Sequence, residues 1–494
     1  KLVLSREENA TSSRQVHDIV AVVKTGMKKD GTVIAKDYKV IYDGGAYSST
    51  GPIATSIPFY VYEECYRFPN VRYNGYRVFT NKGIRGMYGC HGRAFLAGNE
   101  AQMDIMAKEL GIDPVEIRLK NGLTAGETTA TKSKITSCGL AETIRAASEK
   151  TKFKERWAQK EDNKGIGMGC IAIMCGFPMG FRSGSSCYVK INDDGQVTLV
   201  TGLVDNGQGN ESMVVQVASE VLGVPMEDIN LVNADTEVTN LDPGAYSQAA
   251  AFVGANAVKA ACENARKRIV SIAAEKLGTE ENDIGLKNRM AYSISMPDKK
   301  MPISWVVREA FFRGEPIVAT GSYFPNIDFE REWVSRPWGQ MAGTFSFGTS
   351  VAEVDIDPET GKITMPRFTA AHDCGRPINP MAVEGQMDGS IQQAGVATIT
   401  EGNVWDNGFL LNPDLLEYKV PLACDMPEIE TLIVESHDPD GPFGAKEGGL
   451  TVRMNAYSAV ACAVTNATGK LFSELPLTPD KVLVLLDDNK GVKG

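Results

Sequence analysis

Gly441-Pro-Phe-Gly-Ala-Lys-Glu-Gly-Gly449 runs straight into Leu450–Ala467, a stretch rich in Ala and Val with helical apolar spacing. It sets one carboxylate, Glu447, in a turn of five small or imino residues: Gly441, Pro442, Gly444, Gly448 and Gly449. Glycines beside a carboxylate let backbone approach a ligand where a Cβ would collide. A helix that starts immediately afterwards points its first free N–H groups at the same place. Taken alone, the pattern is also that of a solvated glycine turn. The rest of the chain has to separate the two readings.

With 494 residues, the chain is long enough for two or three domains and a large core. Its 43% hydrophobic and 23% charged content is that of an ordinary globular protein. A net charge of −11 argues against a broad nucleic-acid surface, and no charge-free apolar run is long enough to span a membrane. The first residue is Lys1 rather than Met, so the chain reads as a fragment or a processed piece. Ten cysteines are scattered without a Cys-x-x-Cys, which points away from iron–sulfur or structural zinc sites on this chain. Most lie in apolar runs, as buried reduced thiols of a cytoplasmic protein do. Four dispersed histidines do not make a metal site. Any metal is expected to be held by something other than protein side chains.

Three segments alternate apolar and polar residues around a turn: Asp18–Asp43, Cys187–Gly202 and Ser350–Ala371. Each turn carries Asp and Gly, which predicts antiparallel hairpins. Helices are predicted over Ala101–Leu110, from Pro114 with Asp113 as cap and Glu116 as its capping-box partner, and over Ala141–Trp157, Glu211–Leu222 and Ala249–Leu277. A strand follows at Ile166–Cys175. The polar stretch Gln159–Gly165 is the best boundary, giving domains 1–160 and 161–494. A second polar patch, Thr279–Lys287, leads into sequence that reads as irregular to about Gly348. Hairpins and helices in separate blocks make the fold class α+β.

Further glycine-punctuated stretches are Asp43–Pro52, Asn81–Arg93, Asp205–Gly209 and Asp242–Gln248, the last three at helix starts, together with His372–Pro380 and Gly385-Gln386. Glycine turns that open helices are phosphate cradles in general form. Several in one chain suggest a long anionic ligand held along its length. None is a P-loop or a dinucleotide fingerprint in strand–helix context.

The ordered series resembles the large, molybdenum-binding subunit of the xanthine oxidase (molybdenum hydroxylase) family. The resemblance is carried by KLVLSREE, CYRFPNVRYNGYRVFTN, IDPVEIRLKN, SCGL at Ser137, DNGQGNESMVVQVASEVLG, PINPMAVEGQMDGSIQQ and GAKEGG, and it covers nearly the whole chain. It implies a molybdopterin dinucleotide, the cytosine form favoured, with molybdenum coordinated by the pterin. Gly207, Gln208 and Gly209, the loop Tyr246-Ser247-Gln248, Gln386, Gly444 and Ala445 would bind the cofactor. Glu447 takes the position of the catalytic glutamate, a general base. Electrons would leave through [2Fe–2S] clusters and FAD on partner subunits. The resemblance further implies a dimer of such heteromers.

Substrate readings rest on departures from the family. Purine-oxidising members carry an arginine where this chain has Tyr88, and Ile57-Pro58-Phe59 stands where a second arginine would be. A guanidinium pair oriented for purines is therefore not expected. Cys90 lies near the copper-binding cysteine of carbon monoxide dehydrogenases, without matching flanks. Tyr88, Cys90, Tyr47 and Phe443 are the candidate pocket residues, suited to a flat aromatic ring. The upstream half of the family's subunit is expected on a missing segment or a separate chain. Hydroxylation of an aromatic N-heterocycle leads, ahead of reductive dehydroxylation in the manner of 4-hydroxybenzoyl-CoA reductase and of aldehyde oxidation. A non-catalytic assembly subunit is the rival from another class.

Overall fold

All three Asp-Gly turns close antiparallel pairs. The computed structural model describes residues 2–51, 53–56, 65–86, 93–159, 161–177, 183–328, 339–472 and 474–487. Strands β1 (Ile19–Met27) and β2 (Val33–Asp43) pair with Ile19 opposite Tyr42, and β3 (Asn70–Val78) joins β2 in parallel. The turn glycine Gly31 sits at φ +82°, a conformation that costs glycine little. Helix α1 (Arg93–Leu110) covers one face of this sheet, where Phe95 packs with Tyr38, Val40 and Tyr42.

Helix α2 (Pro114–Asn121) is capped by Asp113, whose carboxylate accepts from the N–H groups of Val115 and Glu116. The capping box expected there does not form, because the Glu116 carboxylate is drawn to Lys154 at 2.5 Å. The helix predicted over 141–157 is two helices, α3 (Leu140–Thr151) and α4 (Phe153–Ala158). Lys152 breaks it in the left-handed region, at φ +53°. No glycine announces that break.

After the linker comes β4 (Lys164–Cys175), an edge of the central sheet. A second sheet follows in the order β11-β5-β6-β7, built from β5 (Ser185–Ile191), β6 (Val197–Thr201), β7 (Ile229–Asn233) and β11 (Val318–Tyr323). Two helices pack with it, α5 (Asn210–Leu222) and α6 (Ala255–Leu277), burying Val217, Leu222, Val258 and Ile269 in one cluster. The stretch expected to be irregular to Gly348 is largely ordered. It holds short strands β8 (Ile284–Lys287), β9 (Met290–Ser293) and β10 (Lys300–Pro302), then helix α7 (Ile303–Phe312), then β11.

The central sheet places β12 (Thr344–Ile356) between β4 and β14 (Arg367–Asp373), with β13 (Ile363–Thr364) at one end and β15 (Glu428–Val434) parallel to β14. Helix α8 (Pro380–Ser390) follows β14, and helix α9 (Leu450–Thr468) lies on the sheet. The contact between α9 and β4 is unusually close. A Cβ on Gly165 or Gly167 would stand 2.1 Å from backbone atoms of Ala463, and one on Gly169 would stand 2.6 Å from Asn455 O. Alternate glycines on one strand face thus let helix backbone rest on strand backbone. One core cluster draws Leu96, Ile117 and Phe153 from before the linker and Ile171, Phe345 and Met454 from after it. Among the described residues, no helix is long and apolar enough to cross a membrane.

Candidate functional site

A cavity of about 1050 Å³ opens where four chain reversals meet. The first is Asp205–Asn210, leading into α5. The Asp205 carboxylate accepts from the N–H groups of Gly207 at 2.7 Å, Glu211 at 3.1 Å and Gly209 at 3.4 Å. Burial raises the Asp205 pKa, but these N–H groups outweigh it and hold the carboxyl below its ordinary value. Gly207 and Gly209 sit at φ +105° and +85°, and a Cβ on either would meet no atom within 4 Å. Both glycines are required by backbone conformation, and the space beside them is open. Gln208 lines the cavity, its side-chain oxygen accepting from Asn206 N–H at 2.6 Å.

The second reversal is Asp242–Ala251. Ser247 and Gln248 are both held at positive φ, 49° and 54°, a strained pair for residues with a Cβ. The strain is braced: Gly176 N–H donates to Ser247 O at 2.8 Å. With its amide nitrogen turned toward them, Gln248 donates to Ser247 O at 3.0 Å and Met174 O at 2.7 Å. Tyr246, Ser247 and Gln248 all line the cavity. A π-helical turn, Ala250–Gly254, begins here, and a second, Ile391–Val396, follows α8 on the cavity's other side. Such turns concentrate at functional sites.

The third wall is Cys374–Gln393. Asn379 caps α8 by accepting from Ala382 N–H at 3.1 Å, and Gln386 faces the cavity. The fourth is Ala445–Leu450 with Arg453. Glu447 is only 4% exposed, and its two carboxylate oxygens accept from Leu450 N–H at 2.9 Å and Thr451 N–H at 3.2 Å. The carboxylate therefore caps α9 from three residues before its first residue while forming part of the cavity wall.

Behind Glu447 the structure is tightly specified. His372 Nε2 lies 3.1 Å from Gly449 N and 3.0 Å from Glu447 O, and its Nδ1 shares a hydrogen bond of 2.5 Å with Thr451 Oγ1. Lys446 and Asp373 are fully buried and paired at 2.8 Å. Asp373 also accepts from Gly139 N–H, Gly375 N–H and the Ser436 hydroxyl. A Cβ on Gly449, at φ +102°, would lie 2.8 Å from Gln386 Cβ. The third and fourth walls thus touch through a glycine.

Of the residues singled out from sequence, Gly207, Gln208, Gly209, Tyr246, Ser247, Gln248, Gln386, Ala445 and Glu447 come together around this one cavity. Gly444 sits behind the wall, where a Cβ would meet His437 Nδ1 at 2.2 Å. Phe443, at φ +54°, packs on the core of the second sheet with Lys259 Nζ 5.5 Å from its ring centre. It does not line the cavity. Tyr47 does not either: it is 64% exposed, and its carbonyl accepts from Arg77. Tyr88 and Cys90 lie outside the described residues. Sequence reasoning missed Arg14, Asn379, Gln393 and Arg453 as cavity residues. A lone charge in the otherwise Ala- and Val-rich run after Gly449 was the available signal for Arg453.

The donor set suits a long, anionic, amide-rich ligand. Glycine positions 207, 209, 385 and 389 leave open space, and the buried Nε of Arg453 has no hydrogen-bond partner. The molybdopterin cofactor-binding domain family matches this chain twice, over residues 1–122 and 141–427. The chain belongs to that family, among the molybdenum-binding subunits of the xanthine dehydrogenase type. The chain is 28% identical to a putative xanthine dehydrogenase molybdenum-binding subunit of Escherichia coli K12, over 98% of its own length and 64% of that protein. It is 26% identical to the nicotine 6-hydroxylase large subunit of Paenarthrobacter nicotinovorans, over 98% and 61%. The crystal structure of quinoline 2-oxidoreductase from Pseudomonas putida 86 superposes with a TM-score of 0.88 at 27% identity, covering 98% of this chain and 64% of that one. The chain spans less than two thirds of the length of these relatives.

Proposed function

We propose that this chain is the molybdopterin-dinucleotide-binding part of an oxidoreductase that hydroxylates an aromatic N-heterocycle, with water as the oxygen source. One observation carries the reading: four glycine-punctuated reversals far apart in sequence converge on a single cavity that also holds Glu447. Gln208, Gln248 and Gln386 would hold the cofactor with the α5 loop, and the cytosine form is favoured. When bound, the cofactor supplies a two-electron redox centre and delivers the oxygen that enters product. The chain's own residues bind, orient and move a proton. Glu447 takes up that proton at a carboxylate oxygen, since each oxygen keeps a lone pair beyond the amide it accepts from. His372 and Thr451 hold the turn that presents it.

The N-heterocycle reading is supported by relatives whose names specify nicotine and quinoline. The proposed complex includes an iron–sulfur subunit and a flavin subunit, and sits in the cytoplasm. The test is to purify the native complex and measure its metal and pterin. About one molybdenum and one pterin per chain are expected; a complex with neither overturns the proposal. The double capping of α9 by Glu447 favours one rival, an assembly subunit in which the carboxylate is structural only. That rival predicts a metal-free chain.

A further inference from the structure

We propose that Arg453 is a specificity residue, holding an anionic group, carboxylate or phosphate, of the ligand that occupies the cavity next to Glu447. Arg453 lines the cavity and is partly buried, and its buried Nε has no hydrogen-bond partner. Among the described residues, no carboxylate forms an ion pair with it. Of the cavity's other cations, Lys446 is already neutralised by Asp373 and Arg14 is exposed. A buried guanidinium nitrogen without a partner is costly unless a ligand supplies one, and the planar fork suits a carboxylate or phosphate.

Position narrows the ligand. Leu450, whose N–H binds the Glu447 carboxylate, and Arg453 are three residues apart on α9 and both face the cavity. Three residues are about 4.5 Å of helix rise. An anion on Arg453 and a reacting atom beside Glu447 would therefore share the end of the cavity at the start of α9. The cofactor's phosphates would have an open glycine loop and helix start of their own at Gly207 and Gly209. The inference rests on the proposed function and assigns the Arg453 anion to the substrate: a small ring bearing a carboxylate or phosphate.

The experiment compares pyridine-3-carboxylate with pyridine-3-carboxamide as probes of the purified native complex, by equilibrium binding. Molybdenum and pterin are measured on every preparation. Wild type is expected to prefer the carboxylate by about 10- to 100-fold, the range of a charge-assisted hydrogen bond. Arg453→Met should abolish the preference, and Arg453→Lys should keep part of it, both with wild-type metal and pterin content. Equal affinity of wild type for the two probes overturns the proposal. So does loss of pterin in Arg453→Met, which would assign the anion to the cofactor's phosphates. A wild-type complex without molybdenum or pterin would instead defeat the proposed function, and the anion preference would still be read on the metal-free chain.

Discussion

Glu447→Gln separates the two roles that the geometry allows this side chain. The amide keeps the size of the carboxylate and one oxygen able to accept an N–H, but it cannot take up a proton. One of the two bonds, to Leu450 N–H at 2.9 Å or Thr451 N–H at 3.2 Å, is lost, because an NH2 group then faces a donor. Loss of a helix cap costs about 0.5–2 kcal/mol, and removal of a negative charge from a helix N-terminus about 0.3–1 kcal/mol. His372, Lys446 and Asp373 remain in place behind the turn. The fold should therefore survive with about 1–2 kcal/mol less stability. Turnover should fall by about 10²–10⁴-fold, the usual contribution of a general base. The assay pairs steady-state turnover of the native complex with molybdenum and pterin content and urea denaturation. If turnover falls less than about tenfold, or only in proportion to lost cofactor, Glu447 is a cap and not the base.

Other predictions concern the frame around the site. Arg118 is fully buried, 2.9 Å from Glu100 and 2.8 Å from Asp104, so Arg118→Met strands two buried carboxylates and should cost about 3–5 kcal/mol in urea denaturation. His17 is pulled down to about 4, first by burial and then by Arg77 and Arg85. It folds neutral, whereas the unfolded chain protonates it near 6.5. Its contribution is therefore complete above pH 6.5 and lost as pH falls toward 4. After allowance for screening this is about 2 kcal/mol, and His17→Gln should reduce by that amount the change in unfolding free energy, read by urea denaturation, between those limits. Gly449→Ala combines a positive φ with a clash against Gln386. Pterin content of the purified complex should drop, and normal content would show that the two walls move independently.

What could be read from sequence followed from local rules. Gly31, Gly195 and Gly361 mark their hairpins because each turn needs positive φ. Asp113-Pro114 and Gly278 mark helix ends for equally local reasons. The break at Lys152 was hidden because lysine carries no signal for the left-handed region. Strands β8 to β10 were hidden because three or four residues are too few to show a period. For the site, the glycine turns at Asp205–Gly209, Asp242–Gln248 and Gly441–Gly449 supply residues of three of the four walls. Which way a loop side chain faces depends on φ at one residue, so Phe443 was placed on the cavity and lies on the core instead. Arg453 was missed because one charge barely disturbs an apolar helix.

The alternate glycines of β4 have a mechanical consequence. Along its middle and C-terminal turns, helix α9 is seated backbone to backbone on an edge strand, so it has no side-chain layer there through which to yield, roll or slide. Adaptation to a different reactant at this spot must come by exchanging the side chains that project from the helix, not by flexing the helix itself. The place to look for divergence between otherwise similar proteins is therefore the few cavity-facing positions of this helix, above a foundation that does not give.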